Sequence, residues 1–414
     1  MGADRRTPIA SYRKIVDCTH NIFRMCGVWN FESNNKIENV CNFFVKSMNW
    51  LILISVQLTS VIEIFQNLAN IEAVSDVVGL LAPLSVTTIK IVKLHTSQKR
   101  IYELIESIHK PIELLKYSSD LGILTTIRTA VYHQNFELAL FVSMLSVVFS
   151  LVLFISLKTS AGLAFFIQFW AILIGCIWFA LFDLLVLGLI RWINVQIEIL
   201  QSNYRNCEPV IAERDNFFIN EDTYIQIENY EYFKVTEGQY KIKVFAPFEA
   251  EEINVVEDSF ILRLKTCIKH HQGIINCIDK FNDTFSLTLR FQMFTSNAVM
   301  YFYLYQASWA IKHNKSIIKC VILFFSVITE LFYYCILGTL LTLQGEVLRD
   351  SQYNVPWHNY LNREVGNLLI IALIQSVKPL EIRAGYFSVF SVKKFLSVLQ
   401  KASSFYAILN TVMN

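Results

Sequence analysis

Six windows, near Phe43 to Gln66, Val74 to Leu94, Gln134 to Leu157, Leu163 to Ile190, Thr284 to Ile311 and Ile317 to Leu343, are apolar nearly all the way round. A helix rises about 1.5 Å per residue, so roughly 20 such residues match a hydrocarbon core about 30 Å thick. Inside lipid every backbone N–H and C=O needs a protein partner, and a helix supplies those partners within one segment. The windows therefore dictate an all-α membrane protein. Composition agrees: 54% of the 414 residues are hydrophobic and 17% charged, where soluble domains carry about 25% charge. The last stretch, Ala384 to Asn414, is helix-like and as long as a span but amphipathic, and it makes a seventh transmembrane helix.

Lysine and arginine set the orientation, because they concentrate on the cytoplasmic side. With the N-terminus cytoplasmic, 27 of the 36 fall in inside segments, Lys90 and Lys93 among them, and the outside receives Lys158, Lys312, Lys315 and Lys319. The C-terminal TVMN is then outside. Met1 to Asn42 is polar with no apolar h-region, so the first span directs insertion. This topology conflicts with a G-protein-coupled receptor, as does the absence of a D/E-R-Y at the third span and of N-P-x-x-Y in the seventh. Cys18, Cys26, Cys41, Cys207, Cys267 and Cys277 fall on the reducing side and Cys176, Cys320 and Cys335 in spans, so no structural disulfide is expected. Of the two sequons, Asn314 lies outside and Asn282 inside, and only Asn314 is open to glycosylation.

The chain divides into a cytoplasmic segment 1–42, spans one to four over 43–190, a cytoplasmic loop with helical extensions over 191–283, spans five and six over 284–345, a helix over 346–378 and the last span over 379–414. Between spans two and three, IYELIESIHKPIELL has helical spacing and continues the second span into the cytoplasm. RWINVQIEILQSNY extends the fourth span, residues 206–255 read as loop, and helix resumes from about Val256. Within that loop YKIKVF alternates as a short strand does, but loop is the favoured reading.

At about 100° per residue, one side of the last helix carries Lys394, Ser397, Gln400, Lys401, Ser404, Ile408, Thr411 and Val412, and the other Phe395, Leu399, Ala402, Tyr406, Leu409 and Met413. A lysine facing lipid at mid-bilayer costs about 2.5 to 3.5 kcal/mol. The polar side needs water or protein partners. Lining a shared water-filled path satisfies it; so does packing within a single bundle with the lysines snorkelling to the interface.

Other candidates are weaker. His270 and His271 diverge by about 100° on a helix and have no third ligand nearby, so packing or hydrogen bonding is the default and no metal is expected. No nucleophile, base and orienter come together, so no enzyme and no cofactor is inferred. The net charge of +2 and the lack of a basic aromatic groove or phosphate loop leave no case for nucleic acid. Asp76, Asp183, Arg290 and Glu330 lie in or near spans, where charge is functional by default, although Asp183 and Glu330 equally suit inter-helix packing.

From Asp258 onward several short patterns occur in order. LRLKTCIKHHQGIINCIDKFNDTFS precedes the fifth span; FYYCILG holds Tyr334, Cys335 and Gly338 as Y-C-x-x-G; Tyr353 and Trp357 form Y-x-x-x-W. QSVKPLEIRAG carries Ser376, Lys378, Pro379, Ala384 and Gly385, and KASSFYAILN closes the series. Together they resemble the insect odorant receptor family. The ending departs from the family's S-Y-S-Y-F pattern at its first tyrosine, with Ser403, Ser404, Phe405 and Tyr406 here.

That resemblance implies a tetrameric ligand-gated cation channel whose seventh element splits into a cytoplasmic anchor helix and a pore helix. Trp357 to Val377, with its short apolar run, fits the anchor, and Pro379 marks the break. Lys394, Ser397, Lys401, Ser404, Ile408, Thr411 and Val412 would line the pore, Ile408 and Val412 gating it as hydrophobic rings. Lys401 fits a cation path less well, since a ring of positive charge repels cations. The family places an odorant pocket in the outer half of spans two, three, four and six. Geometry offers Val78, Leu81 and Ala82; Phe149, Val152 and Ser156; Phe169 and Leu173; Phe325, Ile328 and Thr329, a mostly apolar lining suited to small volatile hydrophobic odorants. The second cytoplasmic loop lacks the long insertion of the family's shared co-receptor, which makes this chain resemble an odorant-specific subunit that joins co-receptor subunits in a heterotetramer, in the plasma membrane of olfactory sensory dendrites. A gustatory receptor-like channel is the neighbouring alternative, though its T-Y-x-x-x-x-x-Q-F ending is absent, and a non-channel receptor or transporter is the more distant one.

Overall fold

A computed structural model describes residues 14–29, 36–68, 71–118, 120–159, 162–209, 241–252, 258–385 and 388–413. Ten α-helices lie among the described residues: α1 Lys14–Met25, α2 Lys36–Gln66, α3 Ile71–Thr96, α4 Gln98–Leu115, α5 Leu121–Thr159, α6 Leu163–Arg205, α7 Phe260–Lys312, α8 Ile318–Tyr353, α9 Arg363–Ser376 and α10 Val392–Met413. The six apolar windows fall on α2, α3, α5, α6, α7 and α8. By length and apolarity alone α2, α3, α6 and α8 suffice to cross a membrane. The apolar window of α6 is 78% buried and that of α2 22%, which makes α6 the central post and α2 a peripheral one. Accordingly α6 packs against α2, α3, α5, α7 and α8, with Trp178, Phe182 and Val186 sealed inside. Arg191 of α6 pairs with Glu137 of α5, which holds the end of the α6 span against its neighbour.

Helices α6, α7 and α8 run well past their apolar windows and build a second layer at one end of the bundle. There α4 turns its stripe of Ile101, Leu104, Ile105, Ile108, Ile112 and Leu115 onto α6 and α7, as the spacing of IYELIESIHKPIELL predicts. Ser97 interrupts the path from α3 to α4 for one residue. Ser259 caps α7 by accepting the Leu262 N–H at 3.3 Å, and Asn362 caps α9 by accepting the Val365 N–H at 2.8 Å.

Residues 241–245 of YKIKVF form the loop that the sequence favours: Asp120 accepts the N–H groups of Lys243 and Val244 at 2.7 and 3.2 Å, and Asn203 brackets the following Ala246 by donating to its C=O and accepting its N–H, both at 2.7 Å. Side chains thus replace the ladder that a partner strand would supply. Residues 210–240 and 253–255 of the expected loop, and 256–257 where helix was expected to resume, lie outside the described residues. Other expectations change. Helix α1, which the polar reading of 1–42 overlooks, buries Phe23 and Thr19 and packs on α6. Within the Trp357 to Val377 stretch, a 3₁₀ turn at Trp357–Tyr360 precedes α9. The last helix begins at Val392 and not near Ala384, because the described residues 380–385 and 388–391 form a turn held from outside; its 22 residues span about 33 Å.

The paired histidines diverge to different tasks. His270 stacks on Phe248 at 4.3 Å and meets Glu252 Oε1 at 2.7 Å, tying down the segment before α7. His271 Nδ1 lies 3.2 Å from Gln352 Nε2 at the end of α8, and Gln352 Oε1 accepts the Ser376 hydroxyl of α9 at 2.5 Å. Burial pushes the His271 imidazole from 6.5 down to about 4. Between those values the unfolded chain binds a proton that the folded chain refuses, so stability falls as pH drops from about 6.5 to 4, by at most about 3 kcal/mol, and is flat above. In detergent, the melting temperature of the wild type is expected to fall on acidification through this window more than that of His271→Gln; equal slopes would remove His271 as the cause.

Candidate functional site

The sequence singles out the last helix, and three features around it make a continuous structure: its uncovered face, the turn that carries it, and a charge cluster beneath that turn. On α10 the apolar side meets the bundle. Phe395, Val398 and Ala402 are buried, Phe395 packs on Phe332 of α8 at 5.4 Å, and Phe405 meets Tyr301 of α7 edge-on at 5.0 Å. The opposite side is open in the single chain: Lys401, Ser404 and Thr411 are exposed, Ile408 is 63% exposed, and Lys394 and Ser397 are half-buried near the start. The hydroxyls of Ser404 and Thr411 donate back to the carbonyls of Gln400 and Ala407, each at 3.0 Å, so the helix satisfies them itself. The Val412 side chain lies outside the described residues.

The turn before α10 owes its shape to α7 and α8. Asn282 of α7 donates to the Glu381 carbonyl and accepts the Arg383 N–H, both at 2.9 Å, which occupies the amide of the inside sequon. Thr342 of α8 donates to the Leu380 carbonyl at 3.0 Å, and Thr339 accepts the first N–H of α10, from Val392, at 2.8 Å. Ser391 caps the helix by accepting the Lys394 N–H at 3.2 Å. Across the turn Arg383 and Val389 form an antiparallel bridge. Gly385 has φ +74, the left-handed region that glycine adopts without strain, and a Cβ on Gly338 would lie 2.4 Å from the Phe390 carbonyl oxygen. These two contacts give physical reasons for the A-G and Y-C-x-x-G patterns.

Below the turn, four helices bring polar groups into the bundle. Lys90 of α3 is fully buried; its Nζ lies 2.7 Å from Asp183 Oδ1 of α6 and 3.5 Å from Glu330 Oε1 of α8. It also sits 3.7 Å over the Phe179 ring, a cation–π contact. Gln292 of α7 donates to Glu330 at 2.5 Å, and the Tyr334 hydroxyl of α8 donates to Asp183 at 2.7 Å. Lys90 thus leaves the group of cytoplasmic charges to which the orientation count assigns it. Asp183 and Glu330 share its ammonium; a lysine one turn inside the end of an apolar window was the available signal.

Of the remaining sequence-singled residues, Val78, Leu81 and Ala82 on α3, Phe169 and Leu173 on α6, and Ile328 and Thr329 on α8 are half-buried, while Phe325 is 60% exposed on the outer side of α8. The side chains of Phe149, Val152 and Ser156 lie outside the described residues. At the same end of the bundle Asp76 accepts from Lys319 at 2.8 Å and from Gln306 at 3.1 Å, joining α3, α7 and α8. Arg290 is exposed on α7, its side chain against Gly385. Among the described residues no group of three or more His, Cys, Asp or Glu side chains could hold a metal ion.

The sequence profile of the family described as 7tm Odorant receptor matches residues 157–403. Odorant receptor 67c of Drosophila melanogaster is 24% identical over 144 residues, 35% of each chain, and Odorant receptor 33b of the same organism is 22% identical over 141 residues, 34% of this chain and 37% of that one. The chain thus matches about a third of the length of these curated relatives. The insect olfactory receptor OR5 from Machilis hrabei in complex with eugenol superposes with a TM-score of 0.69 at 11% identity, covering 97% of this chain and 100% of that one. At that identity the likeness speaks for the fold, a seven-span helical bundle.

The closeness at Gly338 is testable. Gly338→Ala forces α8 and the turn apart, and strain of this kind costs about 1 to 3 kcal/mol. The variant is expected to melt earlier in detergent than the wild type, whereas Gly366→Ala, at an open position of α9, is not.

Proposed function

This chain belongs to the 7tm odorant receptor family, and from that premise we propose that it is the odorant-binding subunit of an odorant-gated, non-selective cation channel that assembles with the olfactory co-receptor. Channel, partner and location, the plasma membrane of olfactory sensory dendrites, are parts of this reading. The observation that carries it is a membrane-length helix whose polar face stays uncovered in one chain: Lys401, Ser404 and Thr411 are exposed beside Ile408. Lipid against that face is costly, about 2.5 to 3.5 kcal/mol for a central lysine. Several copies around an axis would turn it to water, with the Ile408 and Val412 rings as a dewetting gate.

A second surface supports assembly. Helix α9 belongs to the layer outside the bilayer, yet Ile370, Ile371, Ile374 and the following Val377 are 50 to 71% exposed. An apolar stripe in water calls for neighbours, and copies of the anchor helix around the same axis would cover it. The N-terminus is cytoplasmic in this reading, and Asn314, exposed in the turn between α7 and α8, is the glycan acceptor. The half-buried residues of α3, α6 and α8 named above would form the odorant pocket, an apolar lining with few hydroxyls that favours small volatile molecules over sharp discrimination.

Patch recording with an odorant panel tests the reading: unitary currents are expected with the co-receptor present. Saturable uptake or a G-protein-dependent response without unitary currents would point to a transporter or metabotropic receptor. Within the channel, Ile408→Ala is expected to raise the ligand-free current several-fold, and an unchanged leak with unchanged evoked current would reject the gate assignment.

A further inference from the structure

The Lys90 cluster poses a problem that packing alone does not solve. Taking charges out of water costs several kcal/mol per ion, and a buried pair is often no more stabilising than apolar side chains of the same volume. Four helices nevertheless converge on it: Lys90 from α3, Asp183 from α6, Gln292 from α7 and Glu330 from α8. Its outlet toward α10 is short. The Tyr334 hydroxyl donates to Asp183 Oδ1 at 2.7 Å, the same oxygen that holds Lys90. The Tyr334 ring lies 5.3 Å from the Phe390 ring, tilted by 33°. The Phe390 carbonyl rests against Gly338, and α10 begins two residues later at Val392.

The candidate pocket residues lie on the same helices. Ala82 precedes Lys90 by about two turns of α3, Leu173 precedes Asp183 by about three turns of α6, and Thr329 adjoins Glu330 on α8. A change in spacing among these helices therefore reaches the cluster directly. Charge-assisted hydrogen bonds are short and directional, so the cluster cannot stretch; it holds or it regroups, since one ammonium has two carboxyl groups to choose between. An element with discrete arrangements is what coupling between sites requires.

We propose that the buried Lys90–Asp183–Glu330 cluster couples ligand-driven movement of α3, α6 and α8 to the turn that carries α10, with Tyr334 as the positioning residue between cluster and turn. The proposal rests on the channel reading and adds the route by which the pore helix responds.

Tyr334→Phe keeps the ring on Phe390 and removes the hydroxyl. In the full channel with its co-receptor, surface amount and unitary conductance are expected to match the wild type. The half-maximal odorant concentration and the ratio of ligand-free to maximal current are expected to move about tenfold, the equivalent of one hydrogen bond to a charged group. Asp183→Asn combined with Tyr334→Phe should shift no further than the larger of the two single changes, because the hydroxyl acts through that carboxylate. Independent, additive shifts, or a Tyr334→Phe channel indistinguishable from wild type, would overturn the inference. Should Tyr334→Phe fail to reach the surface, Phe390→Leu reads the same link from the turn, and a wild-type concentration response there would overturn it equally. A wild-type chain that passes no current with the co-receptor instead sinks the channel reading itself, so the two failures are distinguishable.

Discussion

A lysine in a membrane-spanning helix needs either a counter-charge or water, and the bundle is arranged around both solutions. Lys90 turns inward, where Asp183 and Glu330 meet it at 2.7 and 3.5 Å. Lys401 turns outward from α10 into a strip of exposed residues. The inward lysine requires α3, α6 and α8 to converge, and that convergence puts α6 at the centre with its apolar window 78% buried. The outward lysine is left exposed on the surface of the single chain, where the proposed assembly would give it water. The same desolvation cost therefore shapes the interior of the chain and is the physical argument for the proposed assembly.

Between these lysines lies a turn that is held rather than merely connecting. Asn282, Thr339 and Thr342 satisfy backbone groups of residues 380–392 that neither α9 nor α10 can reach. Such partners are obligatory for backbone buried against a bundle. They also make the start of α10 depend on α7 and α8, so the helix is oriented by neighbours distant in sequence. In the second layer, where α4 packs on α6 and α7, a similar logic joins α7, α8 and α9 through His271, Gln352 and Ser376.

Much of the fold was legible because spans obey a length and hydropathy rule: all six apolar windows lie on helices, and α4 carries the stripe that its spacing predicts. What was not legible depends on tertiary partners. Loop was the favoured reading of YKIKVF, but what holds it was not readable: Asp120, far away in sequence, takes the N–H groups of Lys243 and Val244. The helix-like run before Val392 loses its first turns to Asn282 and Thr342. Lys90 reads as an end-of-span cation, since nothing local reveals Asp183 ninety-three residues further on. At the candidate site, the two-sided character of α10 was readable from periodicity, whereas the roles of Tyr334 and Gly338 emerge only where Asp183 and Phe390 come into contact with them.

Helix α7 runs without interruption from Phe260 to Lys312, 53 residues or about 80 Å. Toward one end it joins the second layer through His270 and His271; toward the other it meets Asp76 through Gln306. Over such a rod a tilt of about 2° about one end displaces the other by about 3 Å. Asn282 and Tyr301 sit partway along it, about 33 and 62 Å from Phe260, so such a tilt would displace their contacts in proportion to those distances.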